Sequence, residues 1–87
     1  MIETVSVYEV EDVDHWQRVW EANDSAHEAG GVRRKLVLPH PEDARRFVVV
    51  REFDDLDRAR TYLGSASRQG RMKEGRVVDC VDYLPRA

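Results

Sequence analysis

Asn23 and His27 stand four residues apart in a stretch whose other inward positions are apolar. The stretch runs from Glu11 to Gly31 and carries Trp16 and Trp20. At about 100° per residue, Val13, Trp16, Val19, Trp20, Ala22, Ala26 and Ala29 share one broad arc of a helix. Asn23 falls near the middle of that arc, and His27 falls close to the two tryptophans. An amide and an imidazole turned toward a cavity can hold a phenolic or carbonyl oxygen and shuttle a proton. Both residues also have plain structural uses: a histidine near a helix C-terminus suits the dipole, and an asparagine can bond to backbone or water. Tyr8 and Arg51 complete the candidate catalytic set, Tyr8 as a hydrogen-bond donor and Arg51 as a contact for a substrate anion. Against that stand a tyrosine whose hydroxyl sits at the rim of the apolar layer and an arginine paired across strands. Trp16, Trp20, Phe53, Tyr62 and Met72 would line the pocket, and the tryptophans could stack on a planar aromatic ligand or simply fill the core.

Other chemistries find little support. His15, His27 and His40 are scattered, and no pair has metal-ligand spacing with a carboxylate on the same inner face. No glycine-rich phosphate loop, Ser-His-Asp order or CxxC occurs, and Gly30-Gly31 follows a helix, the wrong context for a dinucleotide turn. Neither a metal nor a cofactor is expected. The net charge of −3 and the interspersed arginines give no basic footprint for nucleic acid. Arg33-Arg34-Lys35 is the one basic run, and in a strand it alternates faces. Cys80 is the sole cysteine, so no disulfide forms within the chain, which suits a reducing cytoplasm. No apolar run approaches the roughly 20 residues a membrane span needs, and Met1-Ile2-Glu3 lacks the start of a signal peptide.

The elements that must position these residues follow from patterning. Thr4 to Val10 is β-branched and aromatic and reads as a strand, with Ser6, Tyr8 and Val10 on one face and Val5 and Val7 on the other. The Trp-bearing helix starts at Asp12 or Asp14 and runs as one piece to the Gly30-Gly31 stop. Val32 to Leu38 is a second strand, ended by Pro39. The segment Pro39 to Ala44 is a turn, and Arg45 to Phe53 is a third strand. There Phe47, Val49, Arg51 and Phe53 share one face and Val48, Val50 and Glu52 the other. Asp54-Asp55-Leu56-Asp57 opens a second helix with an apolar stripe of Leu56, Ala59, Tyr62, Leu63 and Ala66. Gly64-Ser65 breaks that helix, and Ser65 caps a continuation to Gly75. Val77 to Leu84 is the last strand, with Val77, Val81 and Tyr83 facing one way and Val78, Cys80 and Leu84 the other.

The order β-α-β-β-α-β over residues 1–87 predicts one ferredoxin-like α+β domain: a four-stranded antiparallel sheet with helices on one face. The third and fourth strands are apolar on both faces. A bare face of that content is an exposed patch that soluble monomers rarely tolerate. A second copy packed sheet to sheet is the simplest cover, so a homodimer is expected.

The segments Val10-Glu11-Asp12-Val13-Asp14-His15-Trp16, Ala29-Gly30-Gly31-Val32, Val50 through Ala59 and Met72-Lys73-Glu74-Gly75-Arg76-Val77 resemble the dimeric α/β-barrel superfamily. That superfamily includes antibiotic-biosynthesis monooxygenase-like and cyclase-like proteins. The resemblance covers nearly the whole chain, through features that form the fold. It implies a ligand space between sheet and helices. It also implies either a cofactor-independent monooxygenase-like or cyclase-like enzyme for an aromatic, polyketide-type substrate, or a non-catalytic ligand-binding or partner-stabilising dimer. The haem-degrading branch pairs a histidine on the second helical segment with a tryptophan ending the third strand. This chain has Phe53 there and no histidine between Asp54 and Gly75, which argues against haem degradation.

Overall fold

The computed structural model describes Met1–Arg86. The elements are β1 (Ile2–Val10), α1 (Val13–Ala22), α2 (Asp24–Ala29), β2 (Arg34–Pro39), β3 (Arg46–Phe53), α3 (Leu56–Leu63), α4 (Ala66–Glu74) and β4 (Val77–Tyr83). The strands form one antiparallel sheet in the order β2-β3-β1-β4, and the fold is the expected ferredoxin-like α+β arrangement.

Alternation sorts the sheet into two faces. Tyr8, Val10, Phe47 and Val49 meet Trp16 in one buried cluster, with Val13, Trp20 and Met72 packed against it. Phe53, Ala59, Tyr62, Leu63 and Val32 form a second. The helices therefore cover the face that carries the even positions of β1 and the odd positions of β3. Short side chains start three of the helices. Asp12 accepts from the amides of Asp14 and His15, Asp55 from that of Arg58, and Ser65 from that of Arg68. Each satisfies amides that a helix start leaves without partners.

Two expectations need correction. The Trp-bearing segment is not one helix. Asn23 leaves the helical region (φ −110°, ψ 19°), ends α1 and starts α2. Asparagine competes for backbone partners and favours such junctions; its Nδ2 donates to Val19 O at 2.7 Å. The faces of β4 are also not a simple alternation. The β1–β4 register shifts between Glu9 and Val10, so Val10 pairs with Val77 while Glu9 pairs with Asp79. A bulge of this kind flips the parity of one strand end. Val77 then packs in the core beside Cys80, and Val78 is exposed.

One close approach depends on a missing side chain. A Cβ on Gly30 would lie 2.3 Å from Tyr62 Cδ1, so glycine there lets Tyr62 seat against the end of α2.

Candidate site between helices and sheet

The inner face of the sheet carries a polar row in the middle of its apolar layer. Thr4, Ser6 and Tyr8 on β1 stand beside Arg51 on β3, and Cys80 and Asp82 on β4 lie opposite Tyr8 and Ser6. Arg68 reaches the row from α4. Arg51 and Arg68 are only 1% and 2% exposed.

These groups form one network. Arg68 donates from Nη1 to Asp82 Oδ2 at 2.6 Å and from Nη2 to Asp82 Oδ1 at 2.8 Å. Ser6 Oγ donates to the same carboxylate at 2.5 Å. Arg51 donates from Nη1 to Ser6 Oγ and from Nη2 to the Tyr8 hydroxyl, both at 2.9 Å. Arg68 Nη2 also donates to the Tyr8 hydroxyl, at 3.1 Å. The Tyr8 oxygen thus accepts from two guanidinium groups.

The charges respond to these surroundings. Burial works against the Arg68 cation, but Asp82 and Tyr8 outweigh it and raise its pKa above the ordinary value. Burial likewise opposes the Asp82 carboxylate, while Arg68 and Ser6 hold its pKa below the usual range. Burial first and the Asp82 charge second push the Cys80 thiol up, so this is not an activated nucleophile.

His27 closes the far end of the space and is 4% exposed. Burial, with Lys35, Arg51 and Arg71 nearby, lowers its pKa to about 4. It is therefore neutral at pH 7. Its Nδ1 lies 2.7 Å from Lys35 Nζ, and an ammonium can only donate. The proton of the neutral ring then sits on Nε2, making His27 a donor there rather than a base. Lys35 also bonds to Asp24 and lies over the Trp20 ring.

Aromatic rings wall the space. The Arg51 guanidinium lies 5.5 Å from the Trp20 ring centroid, 5.6 Å from Tyr62 and 6.0 Å from Tyr8. The enclosed volume is only about 20 Å3, room for a water. Two larger clefts adjoin it. One of about 490 Å3 lies between α1 and β2, with Trp16, Trp20, Val37 and Phe47 in its lining. The other, of about 700 Å3, lies between α2 and α3–α4, with Ala26, Tyr62 and Arg71 in its lining. Trp20 and Tyr62 are thus shared walls between these clefts and the inner space.

Of the residues singled out from sequence, Tyr8, Arg51, Asn23, His27, Trp16, Trp20, Tyr62 and Met72 all border the inner space. Phe53 does not; it packs against Tyr62 in the second core cluster, with the rings tilted and 5.7 Å between centroids. The sequence reading missed Arg68, Asp82 and Ser6. Ser6 and Asp82 had a usable signal, polar residues at inward positions of strands. Arg68 had none, since Ser67-Arg68-Gln69-Gly70-Arg71 reads as a solvated helix.

The remaining histidines diverge. His15 Nε2 lies 2.8 Å from Glu74 O, and His40 Nδ1 accepts from the amides of Glu42 and Asp43. Among the described residues no group of three or more His, Cys, Asp or Glu could hold a metal ion, and no helix is long and apolar enough to cross a membrane.

No family model matches the chain, and no curated protein matches it. Solved structures do. SnoaB, a cofactor-independent oxygenase from Streptomyces nogalater, superposes with a TM-score of 0.76 at 18% identity, over 99% of this chain and 91% of that one. A proposed antibiotic biosynthesis monooxygenase from Bordetella bronchiseptica gives 0.82 at 12% identity, over 99% and 95%. Another from Deinococcus radiodurans gives 0.67 at 16%, over 100% and 92%. The fold is that of the antibiotic biosynthesis monooxygenase-like proteins. At these identities the likeness carries the architecture, and chemistry must be argued from the residues.

Proposed function

We propose that the protein is a small monooxygenase-like or cyclase-like enzyme that takes an aromatic, polyketide-type substrate between its helices and its sheet, using no bound cofactor. One observation carries the reading: the Tyr8 hydroxyl, inside an aromatic enclosure, accepts from both Arg51 and Arg68. Two such donations polarise the O–H, and its own proton is the one it can offer to a ligand oxygen. Trp20 and Tyr62 offer faces on which a conjugated ring can stack. SnoaB, with the same fold, is a cofactor-independent oxygenase.

In the oxygenase form, Tyr8 holds the carbonyl or phenolic oxygen of an enolisable substrate. The substrate loses a C–H proton to solvent water, its conjugate base reduces O2, and with that proton returned from solvent a CH2 group ends as C=O with release of water. His27 Nε2–H and the Asn23 side chain would hold a second oxygen. The substrate enters by displacing Trp20 or Tyr62, joining the inner space to a neighbouring cleft.

We also infer that two copies pair sheet to sheet. The uncovered face presents Val7, Leu36, Leu38, Val81 and Tyr83, each more than 40% exposed. Such a patch supports a partner of like surface. The lone half-buried Cys80 suits a reducing cytoplasm.

A second reading, a non-catalytic ligand-binding or partner-stabilising dimer, is favoured by the small inner volume and by the engagement of the Asn23 amide with Val19 O. Oxygen uptake with a panel of anthrones and quinols separates the two. The oxygenase form expects turnover above the spontaneous rate, reduced in Asn23→Ala; binding with neither oxygen uptake nor a cyclised product across the panel would favour the module.

A further inference from the structure

The inner network does not balance its charge. Arg51 and Arg68 are both fully buried cations, and among the described residues the carboxylate they share space with is Asp82 alone. Asp82 is engaged by both Arg68 nitrogens, and among the described residues no carboxylate bonds to Arg51. His27 adds no charge at neutral pH, because burial and its cationic neighbours keep it unprotonated. Lys35, next to Arg51 in the β2–β3 register, is paired with Asp24. Arg71, at the half-buried rim, is held by the Ser67 and Tyr62 hydroxyls, which carry no charge. Two buried positive charges against one negative leave an excess of one.

The hydrogen-bond inventory agrees. A guanidinium has five N–H donors, and Arg51 uses two of them, on Ser6 and Tyr8. Arg51 Nε, Arg68 Nε and Thr4 Oγ1 are fully buried with no partner among the described residues. Thr4 stands directly opposite Arg51 in the β1–β3 register. Unpaired buried charge and unpaired buried donors at one place are unfavourable in the empty molecule. A ligand that removes both is strongly preferred there.

We propose that the inner site takes its ligand as a planar monoanion, a carboxylate carried on an aromatic ring, with Arg51 as the positioning residue for the carboxylate. The planar guanidinium fork matches a carboxylate, and one negative charge brings the buried count to zero. A phosphate monoester, at about −1.5 to −2, exceeds that one buried charge, and the remainder would fall on Arg71, whose charge at the half-buried rim is screened by solvent. The Arg51 guanidinium lies among the Trp20, Tyr62 and Tyr8 rings, so once Trp20 or Tyr62 is displaced a ligand ring can stack on the aromatic walls that remain. This inference rests on the reading of the helix–sheet space as the ligand site. It leaves Tyr8 for the reacting oxygen and adds an anchor group to the substrate.

The test is a titration followed by tryptophan fluorescence, since Trp16 and Trp20 border the space. Three probes of one shape are compared at pH 7.5: 2-naphthoate, the neutral 2-naphthamide and 2-naphthyl phosphate. Wild type is expected to bind naphthoate at least about tenfold tighter than naphthamide, as a charge-assisted pair allows, and tighter than the phosphate. Arg51→Met should abolish the preference over naphthamide, and Arg51→Lys, which keeps the charge, should retain part of it. If Arg51→Met does not fold, the Lys variant and the wild-type probe series still decide. Equal affinity for naphthoate and naphthamide would overturn the anion inference while leaving the aromatic site standing. Tightest binding of the phosphate would overturn the single-charge assignment. No binding of any probe would overturn the helix–sheet space as a ligand site, and the proposed function with it.

Discussion

Arg68 grips Asp82 through both carboxylate oxygens, at 2.6 and 2.8 Å, across the gap between α4 and β4. This contact ties a polar-looking helix to the sheet. Removing one partner of a buried pair leaves the other charge uncompensated, which costs about 3–5 kcal/mol. Asp82→Asn should therefore lower the thermal midpoint by at least about 10 °C in a chain this size. Calorimetry checks it; a midpoint unchanged within about 2 °C would show that the pair does not hold the fold.

Arg51 should behave in the opposite way. Its charge has no carboxylate among the described residues, and its hydroxyl partners keep other bonds without it: Ser6 to Asp82, Tyr8 to Arg68. Replacing it by an apolar side chain of similar volume should be neutral or stabilising, by up to about 2 kcal/mol. Urea unfolding of Arg51→Met measures this. A loss of about 3 kcal/mol or more would mean that Arg51 is a structural strut rather than a group kept for a ligand.

His27 makes stability depend on pH. Its folded pKa, about 4, lies below the ordinary 6.5. Between those values the unfolded chain binds a proton that the folded chain does not, so stability falls as the pH drops from 6.5 toward 4. The loss amounts to about 3 kcal/mol at most. Asp82 acts at lower pH: its folded pKa is depressed, so its contribution is lost as pH falls below 3.8. Urea midpoints of wild type and His27→Gln, followed from pH 7 to 4.5, should diverge at neutral pH and converge on acidification. Parallel curves would remove His27 as the cause.

Much of this architecture was legible in the sequence, and the exceptions have physical causes. Alternation over Phe47-Val48-Val49-Val50-Arg51 placed Arg51 on the inner face, because a period of two is hard to mistake in a strand. A cap at Asp12 or Asp14, a helix start within Asp54–Asp57 and a cap at Ser65 were readable from local chemistry, and the structure places the caps at Asp12, Asp55 and Ser65. The break at Asn23 was not, since an asparagine on an apolar arc looks like a pocket residue as much as a junction. The parity flip at Val77 depends on cross-strand register, which one strand's own pattern does not contain. Arg68 is buried where Asp82, Tyr8 and the Leu63 carbonyl receive it, and the first two lie far from it in sequence.

The open sheet face gives a prediction of assembly. Leu36 and Val81 lie on it, 46% and 44% exposed. The wild type should sediment at twice the chain mass of 10.1 kDa. Leu36→Glu combined with Val81→Glu should sediment at the single-chain mass, because buried charges oppose the interface. A wild type that remains monomeric at about 100 μM would refute the sheet-to-sheet pairing.

The most direct measurement of the proposed function is oxygen uptake with an anthrone carrying a carboxylate, in wild type and Tyr8→Phe. Loss of the Tyr8 hydroxyl removes one donor to the reacting oxygen, an effect of about a hundredfold or more on rate. The account predicts one O2 consumed per anthrone converted by the wild type, with Tyr8→Phe folded but at least about a hundredfold slower. Equal rates in the two proteins would contradict it.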